Sequence, residues 1–273
     1  MSDILTDESV CKPDSFEAQN RELLSGMQYA ALIQQGILPK QRHFDRVFSE
    51  SFVLYLPCQY VSGDFYWLAE LDDLIYIAVG DCMGHGVPGA MLSMLVQNLL
   101  DYAIFNKRIK KTNKILREID KRFLESFTTS EIKGVFDNDW IDMSLCCIDR
   151  KKKTIFFSGA KRSIIHVNSS GVKEYRGCNY PIGGWQLEEC RPFDTIPICF
   201  EEGDSLYLYS DGFYDQLGGY QNKKYKIQNF NQIVRHASKL PMQLQKSVFE
   251  TAYFSWKGTN PRTDDVCIVG VKL

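Results

Sequence analysis

The stretch Leu74–Ala90, LIYIAVGDCMGHGVPGA, constrains the fold of this chain more than any other. A run of apolar and β-branched residues reads as a buried strand, and it stops at Gly80-Asp81. Gly84, Gly86 and Gly89 then interleave with His85 and Pro88, and a strongly apolar helical segment follows. Asp81 therefore stands at the mouth of a strand, on a turn whose backbone can come very close to whatever the carboxylate holds. A glycine-rich turn can also be only a turn, so its meaning depends on what other strands bring to the same edge.

Three further strand ends carry acids: Asp64 within Ser62–Trp67 (SGDFYW), Asp211 at the close of Ser205–Gly212 (SLYLYSDG), and the pair Asp264-Asp265 ahead of the strand Val266–Leu273. One acid at a strand end is ordinary. Four such ends, three of them beside glycine, point to carboxylates converging at one edge of a sheet structure. Clustered carboxylates repel, so they need cations between them or strongly raised pKa values. An all-oxygen set suits Mg²⁺ or Mn²⁺ rather than zinc. Two such ions, roughly 3.5–4 Å apart, activate water against a phosphate ester.

The rest of the pattern is α+β. Residues 1–15 read as a disordered tail, 16–45 as a linker or regulatory helix, and 46–273 as one catalytic domain, with no room for a sensor domain ahead of it. Phe16–Leu38 favours helix, and Leu24, Met27, Ala31 and Leu38 form a heptad-like stripe interrupted by Gln34. That stripe suits docking on its own domain as well as a dimer seam. Pro88 fits the first turn of a helix running to about Phe105, whose apolar residues (Met91, Leu92, Leu95, Leu99, Tyr102) cover nearly every face and predict burial between layers. A second helix over 112–127 carries Ile115, Ile119, Phe123 and Phe127 on one face. Strands at Met143–Asp149, Thr154–Ser158 and Ser163–Val167, then helices near 226–238 and 241–256, complete the order.

Composition narrows the function. With 44% apolar residues and a formal net charge of −2, nothing favours nucleic acid or an anionic membrane as partner. No apolar run approaches the roughly 20 residues that span a bilayer, and the polar N-terminus does not resemble a secretory signal. The basic run Arg150–Lys153 lies between two strand-like runs and reads as a solvated hairpin turn. Nine scattered cysteines, with no C-x-x-C pair, predict free thiols in a reducing cytoplasm rather than zinc or a disulfide framework. No cysteine has a phosphate-loop context, and no Gly-Lys-Ser/Thr follows a glycine-rich turn.

The four motifs SGDFYW, GDCMGHGVPGA, LYLYSDG and TDDVCIVGV, in this order and spacing from about Phe52 to Leu273, resemble the metal-dependent protein phosphatases (the PPM or type-2C class). The nearest branch is the bacterial SpoIIE-like and RsbU-like serine/threonine phosphatases, in which an upstream helix ending in Ile-Leu-Pro, here Ile37-Leu38-Pro39, is common. The resemblance implies a four-layer α-β-β-α sandwich of two mainly antiparallel sheets with helices outside, plus the N-terminal helical extension. It implies two Mn²⁺ or Mg²⁺ ions. Asp81 would bridge both, the Cys82 main-chain carbonyl would join the first ion's shell, and Asp64 would hold or orient water there. Asp211 and Asp264 would bind the second ion, with Asp265 adjacent, and Asp139 and Asp142 could supply an outer third site. A metal-bridging hydroxide would then attack phosphorus in line. The substrate would be phosphoserine or phosphothreonine on a regulatory partner, typically an anti-sigma-factor antagonist or another STAS-domain protein.

Two departures bear on this. Gly63 stands where eukaryotic members carry Glu, a change common in the bacterial branch. Ser158–Arg162 replaces the Ala-Gly-His-Asn-Pro-like turn of many relatives, so Lys161 and Arg162 either meet the substrate phosphate or form a solvated turn. His85 is read as shaping its loop. The rival function is a catalytically silent module that uses the same fold to hold a signalling partner.

Overall fold

The computed structural model describes residues 16–84, 86–128, 139–184 and 191–273; the expected tail and His85 lie outside them. Helices α1 (Phe16–Ile37) and α2 (Gln41–Val47) lead into strands β1 (Ser51–Leu56), β2 (Asp64–Leu71) and β3 (Leu74–Cys82). Helix α3 (Val87–Asp101) continues through a π-helical turn (Tyr102–Asn106) to α4 (Thr112–Thr128). Then come β4 (Trp140–Asp149), β5 (Thr154–Ala160), β6 (Ser163–Asn168), β7 (Gly171–Arg176), β8 (Ile182–Gly183), β9 (Ile196–Cys199) and β10 (Ser205–Tyr209). Helix α5 (Gly212–Asp215), the short pair β11 (Leu217–Gly218) and β12 (Lys223–Lys224), helices α6 (Ile227–Ala237) and α7 (Met242–Lys257), and β13 (Val266–Lys272) finish the chain.

The named strands pair antiparallel throughout, in two main sheets ordered β1-β13-β10-β6-β7 and β2-β3-β4-β5-β9, with β8 on the end of β4. Period-two alternation decides what each face meets. On β3, Ile75, Ile77 and Val79 join Leu206, Leu208, Val269 and Val271 of the other sheet in the layer between the sheets. Tyr76 and Ala78 of the same strand turn outward and pack with Val96, Leu100, Ile115, Ile119 and Phe123 of α3 and α4. The opposite sheet does likewise, burying Phe52, Tyr207 and Ile268 under Phe230 of α6 and Phe249 and Tyr253 of α7. Three apolar layers between four structural layers give the expected sandwich.

Two local expectations change. Helix α3 is not enclosed on all sides, because Val87 and Met91 face outward and Met91 is 67% exposed. On α1 the residue read as an interruption, Gln34, is the buried one, whereas Leu24 is exposed. The run Arg150–Lys153 forms the turn between β4 and β5.

Candidate metal centre

The register of β2, β3 and β4 places Asp64 opposite Asp81 and Asp81 opposite Asp142. Residues directly opposite on antiparallel strands share a face, about 5 Å apart at Cβ. Asp81 lies two residues beyond Val79, so the row opens at one end of the layer between the sheets. The other sheet reaches the same end: β10 runs into Ser210-Asp211, and Asp264-Asp265 precede the antiparallel β13 beside it. The four motifs thus meet at one edge because both sheets end there.

Close backbone approach makes that possible. A Cβ on Gly63 would stand 2.7 Å from the Gly84 carbonyl oxygen and 2.8 Å from that of Cys82. A Cβ on Gly212 would fall 1.9 Å from the Asp265 carbonyl oxygen. Both positions therefore exclude a side chain, which explains the glycines beside Asp64 and Asp211.

The acids play different parts. Asp64 is buried and accepts a 2.5 Å hydrogen bond from the Ser210 hydroxyl, which in turn accepts from the Cys267 N–H. Asp265 is also buried, and both its carboxylate oxygens are engaged, by the Cys58 N–H at 2.6 Å and the Gly63 N–H at 2.8 Å. It clamps the β1–β2 loop to β13. Gln34 of α1 grips the same loop from the other side: Ser62 N–H donates to its Oε1 (3.0 Å), and its Nε2 donates to the Ser62 carbonyl (2.6 Å) and the Ser93 hydroxyl (3.1 Å).

Arg162, on the β5–β6 connection, lies inside the cluster. Its Nη2 donates to Oδ2 of Asp81 and, at 2.8 Å, to Oδ2 of Asp211, and stands 3.5 Å from Oδ2 of Asp142. Its Nη1 donates to the Tyr214 hydroxyl at 3.3 Å. Lys161 is half-exposed at the rim, in the left-handed region (φ 55°), with its Nζ 3.9 Å from Asp142 and over the Trp140 ring.

Electrostatics follow from this crowding. Burial, then the charges of Asp81 and Asp265, lift the Asp64 carboxyl well above the usual carboxylate range, against the pull of the Ser210 hydrogen bond and Arg162. Burial also lifts Asp81; Asp211, Asp264 and Asp142 add to the rise, while Arg162 opposes it. Asp142 and Asp264 are raised too, with burial leading in each. Burial alone would lower the Arg162 pKa, but the Asp81 and Asp211 carboxylates outweigh it and hold the guanidinium above its ordinary value.

The donor chemistry fits a hard divalent cation. Asp64, Asp81, Asp142, Asp211 and Asp264 offer only oxygen, and Oδ1 of Asp142 is buried with no hydrogen-bond partner. Among the described residues, however, no three Asp, Glu, His or Cys side chains stand close enough to ligate one ion as they are. Sequence reasoning placed Asp142 only at an outer site and did not anticipate Gln34 or Ser210. Nothing in the local pattern signals any of the three, because strand register and cross-loop contacts bring them in.

A family model described as Stage II sporulation protein E (SpoIIE) matches residues 72–273. The chain belongs to the SpoIIE family. The matched region contains Asp81, Asp142, Arg162, Asp211, Asp264 and Asp265, while Asp64 and Gln34 precede it. The phosphoserine phosphatase RsbP of Bacillus subtilis (strain 168) is 22% identical to this SpoIIE-family chain over 258 residues, 90% of this chain and 57% of RsbP. The chain thus spans little more than half the length of that relative. The SiaA-PP2C domain of Pseudomonas aeruginosa superposes with a TM-score of 0.83 at 30% identity, covering 95% of this chain and 99% of that one. RsbX, solved in complex with magnesium, shares the fold at a TM-score of 0.55 and 14% identity, over 82% of this chain and 94% of its own.

Proposed function

We propose that this chain is a metal-dependent protein phosphatase acting on phosphoserine or phosphothreonine of a regulatory partner, an anti-sigma-factor antagonist or a similar STAS-domain protein. The observation that carries this reading is the in-register row Asp64–Asp81–Asp142 with Asp211 and Asp264 from the second sheet at the same end. The SpoIIE-family match and the phosphoserine phosphatase RsbP among the relatives support it.

Asp64, Asp81, Asp211 and Asp264, with the Cys82 main-chain carbonyl, would hold two Mn²⁺ or Mg²⁺ ions, and Asp139 and Asp142 a third. Bound there, the ions would supply a water acidic enough to attack a phosphate ester at neutral pH and would neutralise the phosphoryl oxygens. The chain's own residues do the rest. Ser210 fixes the Asp64 carboxylate, and Asp265 acts as loop clamp rather than direct ligand, since backbone N–H groups engage both its oxygens. Lys161 at the rim, and Arg162 once free of the carboxylates, would meet the substrate phosphate. Helix α1 is read as the regulatory element and as a seam for a second copy. The setting in this reading is the cytoplasm, where thiols stay reduced; the seven described cysteines are free thiols. Among the described residues no helix is long and apolar enough to cross a membrane.

The test is hydrolysis of a phosphoserine peptide with Mn²⁺ or Mg²⁺, abolished by chelator and by Asp81→Asn. An Asp211→Asn trap followed by phosphosite mapping of the retained protein would identify the partner. The guanidinium lodged among the carboxylates favours the second reading, a silent binding module. That reading is upheld if the wild-type chain binds the partner yet hydrolyses no phosphoserine substrate with either Mn²⁺ or Mg²⁺.

A further inference from the structure

One nitrogen of Arg162 sits on two carboxylates, Asp81 and Asp211, that the phosphatase reading assigns to metal. Nη2 takes Oδ2 of both Asp81 and Asp211 and lies 3.5 Å from Asp142. A guanidinium stays protonated at any working pH, so it neutralises the cluster permanently while it remains there. Its backbone is pinned: Gly177 N–H donates to the Arg162 carbonyl, and Lys161 N–H donates to the Cys178 carbonyl. Its side chain is held chiefly by the two carboxylates. Nε is buried without a partner, and Nη1 makes a 3.3 Å contact with Tyr214. Anchored at the backbone, the side chain can leave the carboxylates by changing rotamer.

We propose that Arg162 is an internal counter-cation that competes with divalent metal for Asp81 and Asp211, so that metal loading requires its side chain to swing off both carboxylates. The two states oppose each other because both cations draw on the same two carboxylates and repel one another. The swing would also carry the guanidinium to the rim only when metal is in place, making an arginine available to the substrate phosphate in the loaded state alone. The inference rests on the phosphatase reading in taking Asp81 and Asp211 as the ligands.

The test is isothermal titration of Mn²⁺ and Mg²⁺ into the chelator-treated wild-type chain, Arg162→Gln and Lys152→Gln. Lys152 is an exposed cation paired with Asp149 at the far end of the same sheet, and it controls for net charge. Arg162→Gln should bind metal about tenfold more tightly, a typical size for coupling between linked equilibria. Lys152→Gln should bind as wild type does, and the metal-free melting temperature should fall only for Arg162→Gln. Equal or weaker metal binding by folded Arg162→Gln overturns the inference and leaves the phosphatase reading intact if wild type still binds and hydrolyses. Absence of binding in both proteins removes the phosphatase reading and the inference together. Should Arg162→Gln not fold without metal, phenylglyoxal labelling of wild type followed by peptide mass spectrometry decides. Saturating Mg²⁺ should raise Arg162 labelling several-fold, and unchanged or reduced labelling overturns the competition.

Discussion

Asp81 has an acid opposite it on each side, Asp64 across one ladder and Asp142 across the other, and this pairing makes its charge hard to carry. Asp81→Asn keeps the shape of the side chain and removes a lone-pair set no other residue can supply. Phosphoserine-peptide hydrolysis in saturating Mn²⁺ should fall by at least about a hundredfold, with an unchanged circular dichroism spectrum. Turnover near wild type would remove Asp81 from the centre. Asp64 gives a complementary test in stability. Its folded-state pKa is raised, so the folded chain binds this proton more tightly than the unfolded chain does, and stability drains away as pH rises from the ordinary carboxylate range through the raised value. Asp64→Asn should therefore raise the metal-free melting temperature at pH 7.5, by about 2–4 °C for each kcal/mol relieved. The gain should vanish near pH 4, where Asp64 is itself protonated. A gain independent of pH would mean that the carboxylate charge is not the cause.

At the scale of elements, α1 reaches the centre through Gln34. Gln34 holds both backbone groups of Ser62, two residues before Asp64, and the Ser93 hydroxyl of α3. Gln34→Ala leaves the buried Ser62 N–H and carbonyl without this partner, at a cost of about 1–3 kcal/mol. The half-maximal Mn²⁺ concentration for activity should shift upward, since the loop carrying Asp64 loses its outer grip. Unchanged metal dependence in a destabilised but folded variant would make Gln34 a structural peg only. The sequence pattern itself suggested the opposite of this role. A polar residue in an apolar stripe reads as a flaw when only periodicity is visible, and its partners lie 28 and 59 positions away. What local chemistry could show, it did show: strand ends, glycines and acids marked Asp64, Asp81, Asp211 and Asp264, because a turn's requirements are written within a few residues. That Asp142 stands opposite Asp81 and that Arg162 lies among the carboxylates depend on register and on how the β5–β6 connection folds back, which no window of sequence contains. Helix α3 fails for the related reason that an all-round apolar pattern does not say which face a neighbour will leave uncovered, as at Met91.

For the molecule as a whole, α1 stands out among the described residues for its uncovered apolar face. Met27, Ala31, Gln34 and Leu38 turn towards the domain, but Leu23, Tyr29, Leu32, Ile33 and Ile37 do not, and Leu23 and Leu32 are 66% and 65% exposed. Exposed apolar residues are normal singly; a row of them along one 22-residue helix is the pattern a contact surface would leave. A second copy of α1 would cover it with matching residues by two-fold symmetry, and such a seam would reach the centre through Gln34 in each copy. The chain should therefore associate as a dimer at micromolar concentration, and Leu32→Asp, which leaves the domain-facing side of α1 untouched, should shift it to monomer in light scattering. Because the helix would then be held only by its inner face, the same variant should need more Mn²⁺ for half-maximal activity, as Gln34→Ala does. Deleting residues 1–38 removes both faces at once and should match or exceed the combined effect. A wild-type chain that stays monomeric up to about 100 μM, beyond the roughly micromolar range of ordinary reversible association, would show that α1 is not a seam between copies.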